Sequence, residues 1–265
     1  MQLINGKTST IRNWKQFGRK IRSRGCNLLS HLGNFPNSIL VTGCQRSGTT
    51  MISRIITQSR GMTNFWFGKD DELDAALILC GVVPIDNQGR YCFQTTYLNE
   101  CYKDYFKHQK EGHKVIWVLR NPYSVVYSLL FNWKRFALNE LFDGCGVALL
   151  NEKERAMYDR IGRWAISRVK RACLAFNGKI LQIHELYEVL GPNFIKVVDY
   201  EELVIQPQLV LPEIYSFIDL EYDLAYANAI HSKSLDKKKR LPEYISKMVR
   251  EICEPVFLNA KKLIQ

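Results

Sequence analysis

The first 69 residues contain no Asp or Glu, the first carboxylate being Asp70. The same stretch holds eleven Lys or Arg, and beyond it acids and bases balance, so the whole net charge of +11 sits in the N-terminal quarter. A one-signed field of this kind draws polyanions. Long apolar runs are also missing: none approaches the ~18 residues of a membrane span. The start, MQLINGKTSTIRNWKQ, lacks the apolar core of a secretory signal. Eight cysteines (26, 44, 80, 92, 101, 145, 173 and 253) form no CxxC pair and no Cys/His cluster with metal spacing. The expectation is therefore a cytoplasmic protein with reduced thiols, no transmembrane segment and no metal. Hydrophobic content of 46% with 24% charged residues is ordinary for a folded chain.

What the chain does contain is a stretch around which the rest can be organised, Ser38 to Thr50, SILVTGCQRSGTT. A short β-branched apolar run ends at Gly43, a loop CQRSGTT follows, and MISRIITQ then has helical spacing. Strand, glycine-bounded loop and helix in that order make a phosphate cradle, because loop N–H groups and the helix N-terminus together attract an anion. The spacing Gly43-x-x-x-x-Gly48 is that of a P-loop, yet Thr49 stands where a nucleotide triphosphatase carries Lys. The loop's cation is Arg46 instead.

Residues 1–35 read as a basic amphipathic arm. Ile11, Trp14, Phe17 and Ile21 share one helical stripe, which predicts a helix docked on the main domain, with a membrane-surface role as the rival. Residues 36–265 read as one α/β domain, a parallel sheet flanked by helices. The expected strands are Ser38–Thr42, Lys114–Leu119 and Phe194–Val198, with helical stretches at Asp70 onward, Tyr97–Lys110, 150–186, Gln208–Phe217 and Pro242–Ile264.

The strand KVIWVL ends in Arg120-Asn121-Pro122, with Ser128 about two helical turns further on. Open α/β sheets bind ligands in the crevice at the carboxyl ends of their strands, where Arg120 lies. A nucleotide triphosphatase would carry an acid for magnesium there. Two arginines in its place describe a site that grips phosphates directly.

With these residues in view, the chain resembles the sulfotransferases that use 3′-phosphoadenosine 5′-phosphosulfate (PAPS). CQRSGTT looks like their 5′-phosphosulfate loop and Arg120-x-Pro…Ser128 like their 3′-phosphate motif. KVVDYEELVIQPQLVLPEIYSFIDL, residues 196–220, is similar to a third family block. The resemblance implies that Gln45, Arg46, Ser47, Gly48, Thr49 and Thr50 cradle the 5′-phosphosulfate, with Arg46 steadying the leaving phosphate. It implies further that Arg120 and Ser128 hold the 3′-phosphate and that Tyr200 lies near the adenine. Lys237 to Arg240 stands where relatives add another phosphate contact, in a different pattern. Met51 stands where many relatives have a Trp that stacks on adenine, which leaves Trp164 or Trp66 as the aromatic partner.

An acceptor hydroxyl needs a general base. Asp70, Asp71, Glu72 and Asp74 lie 24–28 residues beyond Arg46, where the carboxylate-using branch of the family places its base. Asp71 and Glu72 are favoured, helix capping being the alternative role for all four and His231 the alternative base. Trp66 and Phe67, beside Asp70, are candidates to line the acceptor pocket, and aromatic faces near carboxylates suit a cationic small molecule, an amine or guanidine included. The expected reaction moves the sulfuryl group of PAPS to a small metabolite or natural product and releases 3′-phosphoadenosine 5′-phosphate (PAP). A P-loop kinase and a nucleic-acid-binding protein are the rivals. Thr49 and Arg120 count against the first and the lack of any nucleic-acid motif against the second.

Overall fold

The alternation of side chains along three short apolar strands decides the architecture. In Ile39–Gly43 (β1) and Lys114–Leu119 (β3), Ile39, Val41, Ile116 and Val118 share one apolar cluster, while Leu40, Val115, Trp117 and Leu119 join another. Strands that are apolar on both faces require cover on both faces. The computed structural model, which describes residues 9–25, 27–230 and 241–264, supplies it as a single α/β domain. Helices Thr49–Thr57 (α2), Tyr200–Ile205 (α8) and Pro207–Phe217 (α9) pack on the first face through Ile52, Ile56, Leu203 and Ile214. Asp71–Leu79 (α3), Pro122–Tyr127 (α4) and the long Arg168–Leu190 (α7) cover the second.

The sheet has four parallel strands in the order β2-β1-β3-β4, with Cys92–Gln94 as β2 and Ile195–Asp199 as β4. The chain leaves β1 for β2 on one side and returns to β3 on the other. β1 is thus the topological switch point, and the crevice outside its carboxyl end is where such sheets bind ligands. β2 was not among the expected strands: three residues are too few to show a period. Tyr97–Lys110, expected as a helix, is a 3₁₀ helix at Tyr102–Glu111 instead.

The N-terminal arm is built into this body. Asn13 caps Trp14–Lys20 (α1), and Phe17 is fully buried while Ile11, Trp14 and Ile21 pack against the same cluster. Trp14 lies 5.6 Å from Tyr97, ring to ring. After α4 the helix widens into a π-helical stretch, Ser128–Asn132, which ends at Trp133 and Arg135–Leu141 (α5). No described helix is long and apolar enough to cross a membrane.

Candidate active site

The loop between β1 and α2 keeps its shape through two close approaches. Gly43 runs so near β3 that a Cβ there would meet the Val118 carbonyl oxygen at 2.5 Å, and at Gly48 (φ +93°) a Cβ would meet the Tyr200 ring at 2.1 Å. Between them Arg46 takes φ +75°, an uncommon conformation for a non-glycine residue. Arg120, at the end of β3, donates from Nη1 to the Arg46 carbonyl at 3.0 Å. Its guanidinium also stacks 4.2 Å over the Tyr200 ring and lies 3.6 Å from Glu201. Glu201 in turn accepts from the Asn121 backbone N–H and side-chain amide, so the residues of RNP and DYEE interlock. Burial presses down the pKa of both arginines, but a guanidinium stays charged at any ordinary pH.

A cavity of about 270 Å³ opens on this loop, lined by Gln45, Arg46, Gly48, Thr49, Arg120 and Tyr200, with Thr50 and Met51 also on its wall. Ser47 is buried beneath it, and its hydroxyl has no hydrogen-bond partner among the described residues. An orphaned hydroxyl inside a cationic, glycine-bent loop is what a bound phosphate oxygen would satisfy. Ser128 is also fully buried, at the first residue of the π-helical stretch.

A second cavity, of about 770 Å³, adjoins the first. Gln45, Arg46, Thr50, Glu72 and Trp133 line both, so the two spaces meet at a cation and a carboxylate. Burial pushes the Glu72 carboxyl up to about 7, against hydrogen bonding from Thr96, whose hydroxyl donates to Oε1. Gln94 donates to Oε2 at 3.2 Å and to Thr49 Oγ1 at 3.0 Å, which links the carboxylate to the start of α2.

Its neighbours are otherwise engaged. Arg54 grips both oxygens of Asp71, Nε to Oδ2 at 2.8 Å and Nη2 to Oδ1 at 3.2 Å, and Asp71 borders neither cavity. Asp70 caps α3 through the Leu73 N–H and accepts from the Trp14 indole at 2.8 Å, on the wall of the larger cavity. Asp74 accepts from the Phe67 and Gly68 backbone N–H groups.

A sulfotransferase-domain family model matches residues 36–254. The chain belongs to the sulfotransferase family. Among solved structures, a sulfotransferase from Alicyclobacillus acidocaldarius is 15% identical with a TM-score of 0.51, covering 86% of this chain and 95% of its own. The sulfotransferase domain of the curacin biosynthetic pathway is 14% identical at 0.50, covering 86% and 97%. A sulfotransferase from Mycobacterium tuberculosis is 12% identical at 0.50, covering 91% and 80%. These likenesses are of fold. No curated protein matches.

The candidate site thus gathers Gln45, Arg46, Gly48, Thr49, Thr50, Arg120, Tyr200, Glu72 and Asp70 around two joined cavities. Trp66 and Phe67, expected at the acceptor pocket, border neither cavity: Trp66 lies under the Arg54 guanidinium, and the Phe67 backbone is held by Asp74. Trp164, expected as an adenine partner, is 84% exposed and stacks with Arg135. His231 and Lys237 to Arg240 lie outside the described residues. The wall of the larger cavity comes in part from elements the sequence reading left unassigned. Arg12, Trp14 and Lys15 reach it from the arm, and Trp133, Lys134 and Phe136 from beyond Ser128. The signal for the second group was available, since an aromatic five residues after Ser128 projects from the same strand-to-helix unit. Gln94 was hidden in the unrecognised β2, and Thr96 two residues beyond its end.

Proposed function

We propose that this sulfotransferase uses PAPS and transfers its sulfuryl group to a hydroxyl or amine of a small molecule, with Glu72 as general base. The observation that carries this reading is the pair of cavities meeting at Arg46 and Glu72. When bound, PAPS would supply an activated sulfuryl group and, with its bridging O–S bond broken, would leave as PAP. The residues that would hold it are Arg46, Ser47, Gly48, Thr49 and Thr50 at the 5′ end, and Arg120 with Ser128 at the 3′-phosphate, with Gln45 and Tyr200 on the cavity wall.

Glu72 takes the acceptor's proton as the acceptor attacks. A carboxyl poised near 7 is matched to that task, since a base works best with a pKa close to the operating pH. Arg46 faces the same junction and stabilises charge gathering on the departing phosphate oxygen, in a pocket where such a cation needs no reorganisation. Arg120 positions the loop by holding the Arg46 carbonyl, so its charge serves both the phosphate and the backbone conformation. Asp71, tied to Arg54, is left a structural role.

The acceptor occupies the larger cavity, whose volume suits a metabolite or natural product of drug-like size. Its wall sets Trp14, Tyr97, Trp133 and Phe136 beside Asp70 and Glu140, but also beside Arg12, Lys15 and Lys134. That mixture favours an aromatic-contacting alcohol or amine over a strongly cationic acceptor. We place the protein in the cytoplasm, a reading supported by the seven described cysteines, all free.

Calorimetric titration with PAP in magnesium-free buffer tests the donor site. Micromolar binding to the wild type, lost in Arg120→Ala and weakened in Arg46→Ala, supports the reading. No PAP binding, with magnesium-dependent ATP binding in its place, overturns it in favour of a kinase.

A further inference from the structure

At the opposite, amino-terminal edge of the sheet the chain carries a cluster that sulfuryl transfer does not use. The 3₁₀ helix Tyr102–Glu111 ends at Gly112 (φ +73°), and the chain turns into β3 at Lys114. The turn is fixed closely. A Cβ on Gly112 would meet Asn37 Oδ1 at 2.4 Å, and the Asn37 N–H donates to the Glu111 carbonyl at 3.0 Å. It brings His108, Glu111 and His113 together. His108 Nδ1 and His113 Nε2 each lie 2.9 Å from the same carboxylate oxygen, Glu111 Oε2. All three ligand-type atoms fall within 4.8 Å of one another, His113 being buried and the other two half-buried. Gly33 leaves room for the Glu111 carboxylate: a Cβ there would approach Oε1 to 2.9 Å.

We propose that His108, Glu111 and His113 bind one divalent transition-metal ion, zinc being the ion their chemistry suits best. Two imidazoles and a carboxylate are a common zinc ligand set, and four-coordinate zinc with bonds of about 2.0–2.1 Å sets its ligand atoms about 3.3 Å apart. The two 2.9 Å contacts therefore need to open by a few tenths of an ångström, and the His108–His113 separation, within 4.8 Å, has to settle to the same value. The small cavity beside both rings, about 10 Å³, has room at most for a water as fourth ligand. The spacing His-x-x-Glu-x-His is no Cys/His cluster, because one of its ligands is a carboxylate. Placed at the far end of the sheet from Arg46, the ion would pin the 3₁₀ helix to β3, a structural role with no part in the transfer step.

The test is zinc chloride added to metal-stripped wild type, His108→Gln and Glu111→Gln, with bound zinc measured after gel filtration and unfolding followed by heating. Expected is one zinc per wild-type chain and a rise in Tm of about 5–10 °C at a hundredfold excess over the dissociation constant. Both variants should lose the ion and the rise while their PAP binding stays within about twofold of wild type. Cobalt(II) should replace the zinc with visible bands of four-coordinate geometry. Absence of stoichiometric binding, or binding unchanged in both variants, overturns the proposal and leaves a hydrogen-bonded His–Glu–His triad. Half-exposed Cys80 or Cys101 would then account for any unchanged binding. Because PAP binding is measured on the same samples, failure here and failure of the donor-site reading are told apart.

Discussion

Replacing Glu72 by Gln should make the protein more stable and the enzyme nearly inactive, and the stability gain should depend on pH. The carboxyl titrates near its ordinary 4.5 in the unfolded chain and near 7 when folded, burial being the main cause. The folded state therefore holds the proton more tightly. Stability from this group is greatest below 4.5, falls as pH rises from 4.5 to 7, and is constant above that range. At about 1.4 kcal/mol per tenfold change in proton affinity, the ceiling is about 3 kcal/mol. Glu72 keeps a solvated side toward the cavity, so a figure of about 1–2 kcal/mol is the appropriate expectation at pH 8. Gln keeps the side-chain volume, can offer its one oxygen to Gln94 while its NH2 donates to the Thr96 hydroxyl, and removes the buried charge.

The assay needs no acceptor. Wild type and Glu72→Gln are unfolded by heat at pH 5 and at pH 8, and the difference between them is compared. Other buried carboxyls titrate alike in both proteins and cancel. The variant should gain about 2–8 °C at pH 8 relative to wild type and much less at pH 5. Once an acceptor is found, transfer should fall by about 10²–10⁴ in the variant. A stability difference that does not change with pH, or a variant less stable than wild type at pH 8, would refute the claim that Glu72 is a buried, proton-hungry carboxylate. Asp71→Asn is the matched control: it breaks the Arg54 pair and should show no pH-dependent gain.

Arg46→Ala should lower turnover about 10²–10³-fold while the fold survives, and Arg46→Lys should recover part of it, both read as kcat. Gly48→Ala should abolish PAP binding in titration, because its Cβ would sit 2.1 Å from the Tyr200 ring at φ +93°. Trp14→Ala should leave PAP affinity within about twofold yet cost about tenfold in acceptor kcat/KM, one good contact being worth about 1.4 kcal/mol. Phe17→Ala, at a fully buried position of the arm, should destabilise by about 3–5 kcal/mol in urea, which is more than an appended peptide could.

The candidate donor site was legible in the sequence because its determinants are local. Gly43, Gly48, Arg46 and the helix after them lie within a few residues of one another, and Arg120 with Pro122 marks a strand end by its own chemistry. Tyr200 could be placed by its block, but its packing against Gly48 could not, since that contact spans 152 positions of sequence. The acceptor side was poorly legible for the same reason in reverse. Its wall is assembled from α1, α3 and the segment after Ser128, none of which is informative alone, and of the donors that hold Glu72, Gln94 ends a strand three residues long and Thr96 lies two residues beyond it. Asp70, Asp71 and Glu72 look interchangeable as letters. Their fates are decided by partners far along the chain: Trp14 for Asp70, Arg54 for Asp71, and Thr96 with Gln94 for Glu72. Arg54 in particular sits on α2, two turns beyond the phosphate loop. The helix that follows the candidate phosphate loop thereby also ties up one of the two favoured carboxylates, and the proposal of Glu72 as base follows from Arg54 on α2 pairing with Asp71 at the start of α3.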